Sequence, residues 1–346
     1  MNPSPLFSSN PKASPFRAPR WLGDPHAQTL YGALLAPVGT PLWQRETWTT
    51  PDNDFIHVDT LEGAPDAPLL VIFHGLEGST NSRYSRALAL ATQARGWRVC
   101  APNFRSCSGI MNRAPRLYHA GDSAEIDWIL KRAWTLGSDP TTLVGSDPKV
   151  QRPMFAVGVS LGGNMLLKWL GEQGATAKPI LHAAAAVSAP LDLAAVAENL
   201  SLGFNRVYTH HFLSTLKQKA RAKYAQHPHL FDLHRTLSSR TMRDFDDHFM
   251  GPVHGFRDAE DYWARSSSTP FLPLIQVPTL LLNAQDDPFM PAGVLPNARQ
   301  CATAVRRDFS AQGGHVGFVS DGFPGHLKWM PQRVLDFLAS SLNPIR

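Results

Sequence analysis

The sequence predicts an α/β protein: a doubly wound, mostly parallel sheet covered by helices, with a helical cap inserted late in the chain. Three observations predict it. Short apolar runs at 69–73, 98–102, 154–158 and 277–282 alternate with stretches of helical pattern, as right-handed βαβ crossovers require. The runs are apolar at successive positions, which suits strands buried on both faces. From Ala189 to Ser268 the alternation stops and the chain turns helical and polar, with no convincing strand.

In chain order, residues 1–20 carry Pro3, Pro5, Pro11, Pro15 and Pro19 without an unbroken apolar run. They read as an extended arm, neither a secretory signal nor a membrane span. The first part of the core, 21–188, opens on Gln44–Thr50 and Phe55–Leu61, which flank the turn-forming Pro51-Asp52-Asn53-Asp54 and predict an antiparallel hairpin. A strand at Leu69–Phe73, a helix at Ser82–Gln93 and a strand at Arg98–Pro102 follow. A helix at Ser123–Thr135, a strand at Met154–Gly158, a helix at Asn164–Glu172 and a strand at His182–Val187 complete this part. The cap spans 189–268. The second part of the core, 269–346, resumes with strands at Val277–Leu282 and Val305–Phe309 and closes on an amphipathic helix near Gln332–Leu342.

At 346 residues the chain is long enough for one large α/β domain with an insertion or for two ordinary domains. A hydrophobic fraction of 43% and a charged fraction of 18% exclude disorder and fibrous repeats. The net charge of +5 is spread along the chain, so nucleic acid is not implied. Arg206, Lys217, Lys219, Arg221 and Lys223 lie close together in 201–250 and read as a solvated helix face, with attraction to anionic surfaces or substrates as the alternative. Cys100, Cys107 and Cys301 are odd in number and lack metal spacing, which fits a reducing compartment and a cytoplasmic location. Peripheral membrane contact and oligomeric state are left open.

Gly158-Val159-Ser160-Leu161-Gly162 has the pattern of a nucleophile elbow and stands between an apolar strand and a helical stretch. Such a turn strains the serine backbone and leaves no room for side chains two residues before and after it. The bland alternative is a glycine-rich turn with a capping serine. As a nucleophile, Ser160 needs a histidine base and a carboxylate to orient it. Asp286-Asp287-Pro288 follows the strand at 277–282, at the carboxyl edge where ligands gather in open α/β sheets. One aspartate is expected to orient the histidine and the other to cap the turn before Pro288. Gly313-Gly314-His315 follows the last strand, with paired glycines that free the loop to swing an imidazole over Ser160. The order Ser, Asp, His is the one associated with α/β-hydrolases.

His74-Gly75-Leu76-Glu77-Gly78 lies where an early strand meets the site, the place for a second oxyanion donor. Leu76 N–H and Leu161 N–H are the expected pair, with a plain turn as the alternative. His74, Gly75 and Glu77 are the candidate substrate-binding residues of the same loop. His210, His211, His227, His229 and His234 enrich the cap in histidine, but nothing completes a metal spacing, so no metal or other cofactor is expected. Cys107 sits on a loop with no elbow and reads as a packed thiol.

The chain resembles the YheT-like branch of the α/β-hydrolases, which includes bacterial esterases and eukaryotic acylglycerol and phospholipid hydrolases. The resemblance rests on Pro25-His26-Ala27-Gln28-Thr29, His74 to Ser79, Asn103-Phe104-Arg105, Asn112-Arg113 and Tyr118-His119-Ala120-Gly121. It rests equally on Gly158 to Asn164, Asp286-Asp287-Pro288-Phe289 and Gly314-His315-Val316-Gly317-Phe318. It covers nearly all of the chain after the arm. It implies Ser160, Asp287 and His315 as the catalytic set, and so favours Asp287 over Asp286 as the acid. Ser106 stands where such sequences usually have glycine and Ala120 where serine is usual, so substrate contact by those loops is not carried over. His26 and Gln28 belong to a signature whose preferred account is a structural anchor.

The expected function is hydrolysis of carboxylic esters, short- to medium-chain acyl or lipid-like, through an acyl-enzyme. Acyl transfer with the same triad and a non-catalytic ligand-binding homologue are the rivals. Leu202, Phe204, Phe212, Leu213 and Leu216 are expected either to line an acyl pocket or to pack the cap.

Overall fold

The computed structural model describes residues 15–64, 66–137 and 152–342, so residues 1–14 of the expected arm lie outside the described residues. A helix that the apolar periodicity does not announce, α1 (Pro25–Leu34), comes first. Its start is chemically determined: Asp24 accepts a hydrogen bond from Ala27 N–H, and Pro25 occupies the first turn. The hairpin β1 (Gln44–Thr49) and β2 (Phe55–Leu61) follows, then β3 (Leu69–Phe73), α2 (Arg83–Gln93), β4 (Arg98–Asn103) and α3 (Ser123–Gly137). Next come β5 (Met154–Val159), α4 (Leu161–Gln173) and β6 (Ala183–Val187). Helix α4 begins three residues earlier than the pattern predicts, because the backbone turns at Ser160 and enters the helix without a linker.

Between β6 and β7 the described chain is helical: α5 (Leu193–Leu200), α6 (Asn205–Gln226), α7 (Leu233–Ser238), α8 (Met242–Phe245), a π-helical turn Asp246–Met250, α9 (Gly251–His254) and α10 (Ala259–Ser266). The core resumes with β7 (Thr279–Ala284), β8 (Val305–Ser310) and α11 (Trp329–Ser340). The described strands form one sheet in the order β1-β2-β4-β3-β5-β6-β7-β8. β1, β2 and β4 pair antiparallel, and every other pairing is parallel.

The runs at 69–73 and 154–158 are apolar throughout because both faces of the sheet are covered. Every residue of β3, β5 and β7 is buried. Along β5, Met154 and Ala156 join a core with α3, α4 and the helical segment, while Phe155, Val157 and Val159 join one with α2 and α11.

The basic stretch of α6 departs in part from the solvated face expected of it: Arg206 and Arg221 are exposed, but Lys219 and Lys223 turn inward. Lys223 is 0% exposed, and its ammonium donates to the carbonyls of Asn112 and Ala114. Lys219 binds α6 to the turn after β3 through Glu77, and Lys223 binds it to the loop between β4 and α3, where Arg105 is buried and bonds Asp52, Asp54 and Glu125. The Asn103-Phe104-Arg105 and Asn112-Arg113 motifs therefore have a structural account in this polar network.

Candidate active site

Ser160 follows directly on β5 with φ 51° and ψ −123°, a conformation that L-residues hold only under constraint from their surroundings. The constraint is close backbone packing. A Cβ on Gly162 would lie 2.5 Å from His74 O and 2.6 Å from Phe73 O, and one on Gly158 would overlap the Gly162 carbonyl. Strand, turn and helix thus hold the hydroxyl at the carboxyl edge of the sheet.

Two distant loops converge on it. His315 Nε2 lies 2.9 Å from Ser160 Oγ, and His315 Nδ1 lies 2.8 Å from Asp287 Oδ2. The Asp287 side chain is sealed from solvent, and its Oδ1 accepts a hydrogen bond from Phe289 N–H at 2.8 Å. The Phe289 ring stacks on the imidazole with centroids 4.1 Å apart. Asp286 has a different partner: its Oδ1 accepts from Gly314 N–H at 2.9 Å. Burial and the neighbouring Asp287 push the Asp286 carboxyl above its usual range. Asp287 therefore both reaches the imidazole and caps its own turn, while the second aspartate ties down the histidine loop.

That loop is also gripped from the other end of the chain. Gln28 is fully buried, donates to the carbonyls of Leu22 and Val319 and accepts from Val319 N–H. Thr29 Oγ1 accepts from His315 N–H. A Cβ on Gly314 would lie 2.6 Å from Pro25 O, so glycine there serves close approach of α1 as much as freedom of the loop. The anchoring account of Gln28 accords with this geometry. His26 points the other way, with Nδ1 3.2 Å from Tyr208 Oη on α6.

Ser160, Leu161, His315 and Leu76 line a cavity of about 110 Å³. None of the hydrogen bonds among the described residues uses Leu76 N–H or Leu161 N–H. The other members of the Leu76 loop do not line that cavity. His74 is 1% exposed: Phe104 N–H donates to its Nε2, so Nδ1 carries the proton and donates to Gly75 O. Burial brings this imidazole down to about 4. Gly75 lets the loop approach Ser160, since a Cβ there would lie 3.0 Å from the serine Cβ. Glu77 is taken up by Lys219 and by Tyr118 Oη. The geometry thus gives His74, Gly75 and Glu77 positioning contacts where substrate contacts were expected, because adjacency in sequence does not decide which way a side chain points.

Of the five apolar residues from the helical segment, Phe212 and Leu216 line the cavity, Leu213 is buried in the core, and Leu202 and Phe204 are largely exposed. Sequence reasoning missed Asp246, a buried carboxyl in the cavity wall, which no spacing marks out. Among the described residues no cluster of three His, Cys, Asp or Glu side chains could hold a metal ion, and no helix is long and apolar enough to cross a membrane.

Residues 68–321 match the family model described as alpha/beta hydrolase fold. The chain is 37% identical to "Putative esterase YheT" of Escherichia coli (strain K12), over 97% of this chain and 96% of that protein. It is 26% identical to phospholipase ABHD3 of Mus musculus over 93% of this chain and 78% of that protein. Against monoacylglycerol lipase of Saccharomyces cerevisiae it is 29% identical over 81% of this chain and 60% of that protein. Among solved structures, a bacterial membrane phospholipase A superposes with a TM-score of 0.54 at 16% identity, over 87% of both chains. The Pyrococcus furiosus esterase Pf2001 superposes at 0.53 and 15% identity, over 88% of this chain and 97% of that one. The doubly wound sheet, the turn at Ser160 and these matches together place the chain in the α/β-hydrolase fold family, on its YheT-like branch.

Proposed function

We propose that this chain hydrolyses carboxylic esters through an acyl-enzyme on Ser160. The observation that carries the reading is the continuous hydrogen-bonded line from Asp287 through His315 to Ser160 Oγ, at 2.8 and 2.9 Å, opening on an apolar cavity. Ser160 Oγ attacks the carbonyl carbon while His315 Nε2 takes its proton, and Asp287 holds the imidazole with Nδ1 protonated. Leu76 N–H and Leu161 N–H receive the oxyanion, where one donor is worth about 3–4 kcal/mol of barrier. Collapse expels the alcohol with the proton from His315. Water then gives a proton to His315 and attacks the acyl-serine carbonyl, and collapse releases the acid as His315 returns that proton to Ser160 Oγ.

The substrate is a small ester with a hydrocarbon arm, a reading supported by relatives named as esterase, phospholipase and monoacylglycerol lipase. Residues 189–268 act as the cap of the site, and Phe212 and Leu216 supply part of its apolar wall.

The test is a panel of nitrophenyl and glycerol esters run on the wild type and on Ser160→Ala, with a fluorophosphonate probe alongside. Wild-type turnover and labelling should both vanish in the variant. A variant that keeps either sinks the reading. Adding alcohol acceptors separates hydrolysis from acyl transfer by the product formed.

A further inference from the structure

The cavity at Ser160 is walled by apolar side chains such as Phe212, Leu216, Met242 and Phe249, yet Asp246 is set among them. Asp246 is 5% exposed, and its Oδ2 accepts a hydrogen bond from Trp263 Nε1 at 2.7 Å. Its other oxygen bonds no group among the described residues, and it is not among the polar atoms sealed from open space. The nearby cation is committed elsewhere: Arg243 pairs with Glu260 on the outer side and lies over the Trp263 ring. A carboxyl held half-partnered in an apolar wall is costly, and structural packing alone would be better served by an apolar residue.

The backbone at this point is unusual too. Asp246 begins a π-helical turn, and Asp246, Phe249 and Met250 of that turn all line the cavity. Such turns are rare and tend to occur where function requires a particular side-chain direction. Burial, reinforced by Asp247 and opposed by the Trp263 hydrogen bond, brings the Asp246 carboxyl up to about 7. It is therefore present in both forms near neutrality. A hydroxyl suits both, donating to the carboxylate or accepting from the acid, and it enters an apolar cavity without bringing a charge.

Resting on the ester-hydrolase reading above, we infer that Asp246 receives a hydroxyl carried on the hydrocarbon arm of the substrate, so that hydroxylated esters are preferred to plain alkyl ones. Asp246 is thus a specificity residue, remote from the bond that breaks. Plain chains leave its free oxygen unpartnered, and this sets the direction of the preference.

The experiment compares matched esters of equal length, with and without a terminal hydroxyl, on the acyl arm and separately on the alkyl arm. In one of the two series the wild type should favour the hydroxylated ester about tenfold in kcat/KM. Asp246→Leu should erase that ratio, chiefly by slowing the hydroxylated ester, and Asp246→Asn should keep a preference. In parallel, binding of alkanediols against alkanols to Ser160→Ala is followed by tryptophan fluorescence, which requires no turnover. Equal ratios in wild type and Asp246→Leu, with no preference for diols, overturn the inference even if esters are hydrolysed. Absent hydrolysis with diols still preferred through Asp246 overturns the ester reading instead.

Discussion

Lys219 Nζ stands 2.7 Å from Glu77 Oε1, an ion pair that joins α6 to the turn carrying Leu76. Both side chains are largely buried. Glu77 adopts φ 53°, its N–H donates to Tyr118 Oη, and that hydroxyl donates back to Glu77 Oε1. Burial alone would lower the Lys219 ammonium, but Cys107 and Glu77 outweigh it and hold it above its usual range.

Lys219→Met should therefore destabilise the protein by about 3 kcal/mol, because Glu77 is left buried without its counter-charge. Turnover should fall more than KM rises, since the turn supplies a proposed oxyanion donor. Lys219→Arg should restore much of both, and Lys219→Met with Glu77→Gln should be less damaged than the two single losses added. Urea unfolding and ester kinetics on the four variants check this; strict additivity would show the pair to be uncoupled.

Asp287→Asn removes the acceptor facing His315 Nδ1 and should lower kcat about 10⁴-fold. Asp286→Asn keeps a carbonyl oxygen for Gly314 N–H, so its effect should stay within about tenfold, the scale of one ordinary hydrogen bond. Nitrophenyl ester kinetics rank the two. The reverse ranking would reassign the acid.

Gln28→Ala strands Val319 N–H and two carbonyls in the interior and should cost about 3 kcal/mol. It should also slow turnover without touching the cavity, as the His315 loop loosens. Denaturant unfolding gives the first effect. Faster fluorophosphonate labelling in this variant than in the wild type would contradict the second.

Three buried imidazoles predict acid sensitivity. Burial lowers His74 to about 4 and His119 and His254 to about 3, all below the ordinary 6.5. Because the folded values are depressed, keeping these rings neutral stabilises the fold above pH 6.5, and that stability drains away as pH falls toward 4. The thermal midpoint should drop between pH 7 and pH 4.5, and His254→Phe should flatten the slope. A midpoint indifferent to pH over this window would count against the burial argument.

What was readable in the sequence was local. The central strands β3, β5 and β6 announce themselves by unbroken apolar runs, and the elbow by glycines whose spacing answers a steric demand at Ser160. Helix α1 was missed because its apolar periodicity is weak and its task is performed on a loop 291 residues away. Lys219 and Lys223 were misread for a related reason: on α6, basic residues turn inward only because Glu77 and the Asn112 loop await them. Residue type marked the site, whereas orientation depended on partners that sequence neighbourhood does not reveal.

The grip of Gln28 on Val319 has a consequence for biosynthesis. Ser160 leaves the ribosome long before His315, and the clamp on the loop that seats this imidazole closes only after Val319 has followed. Partial chains that stop short of His315 lack the imidazole that faces Ser160. Seating that imidazole requires closing a loop whose ends lie 291 residues apart, at an entropic cost that grows only slowly with length.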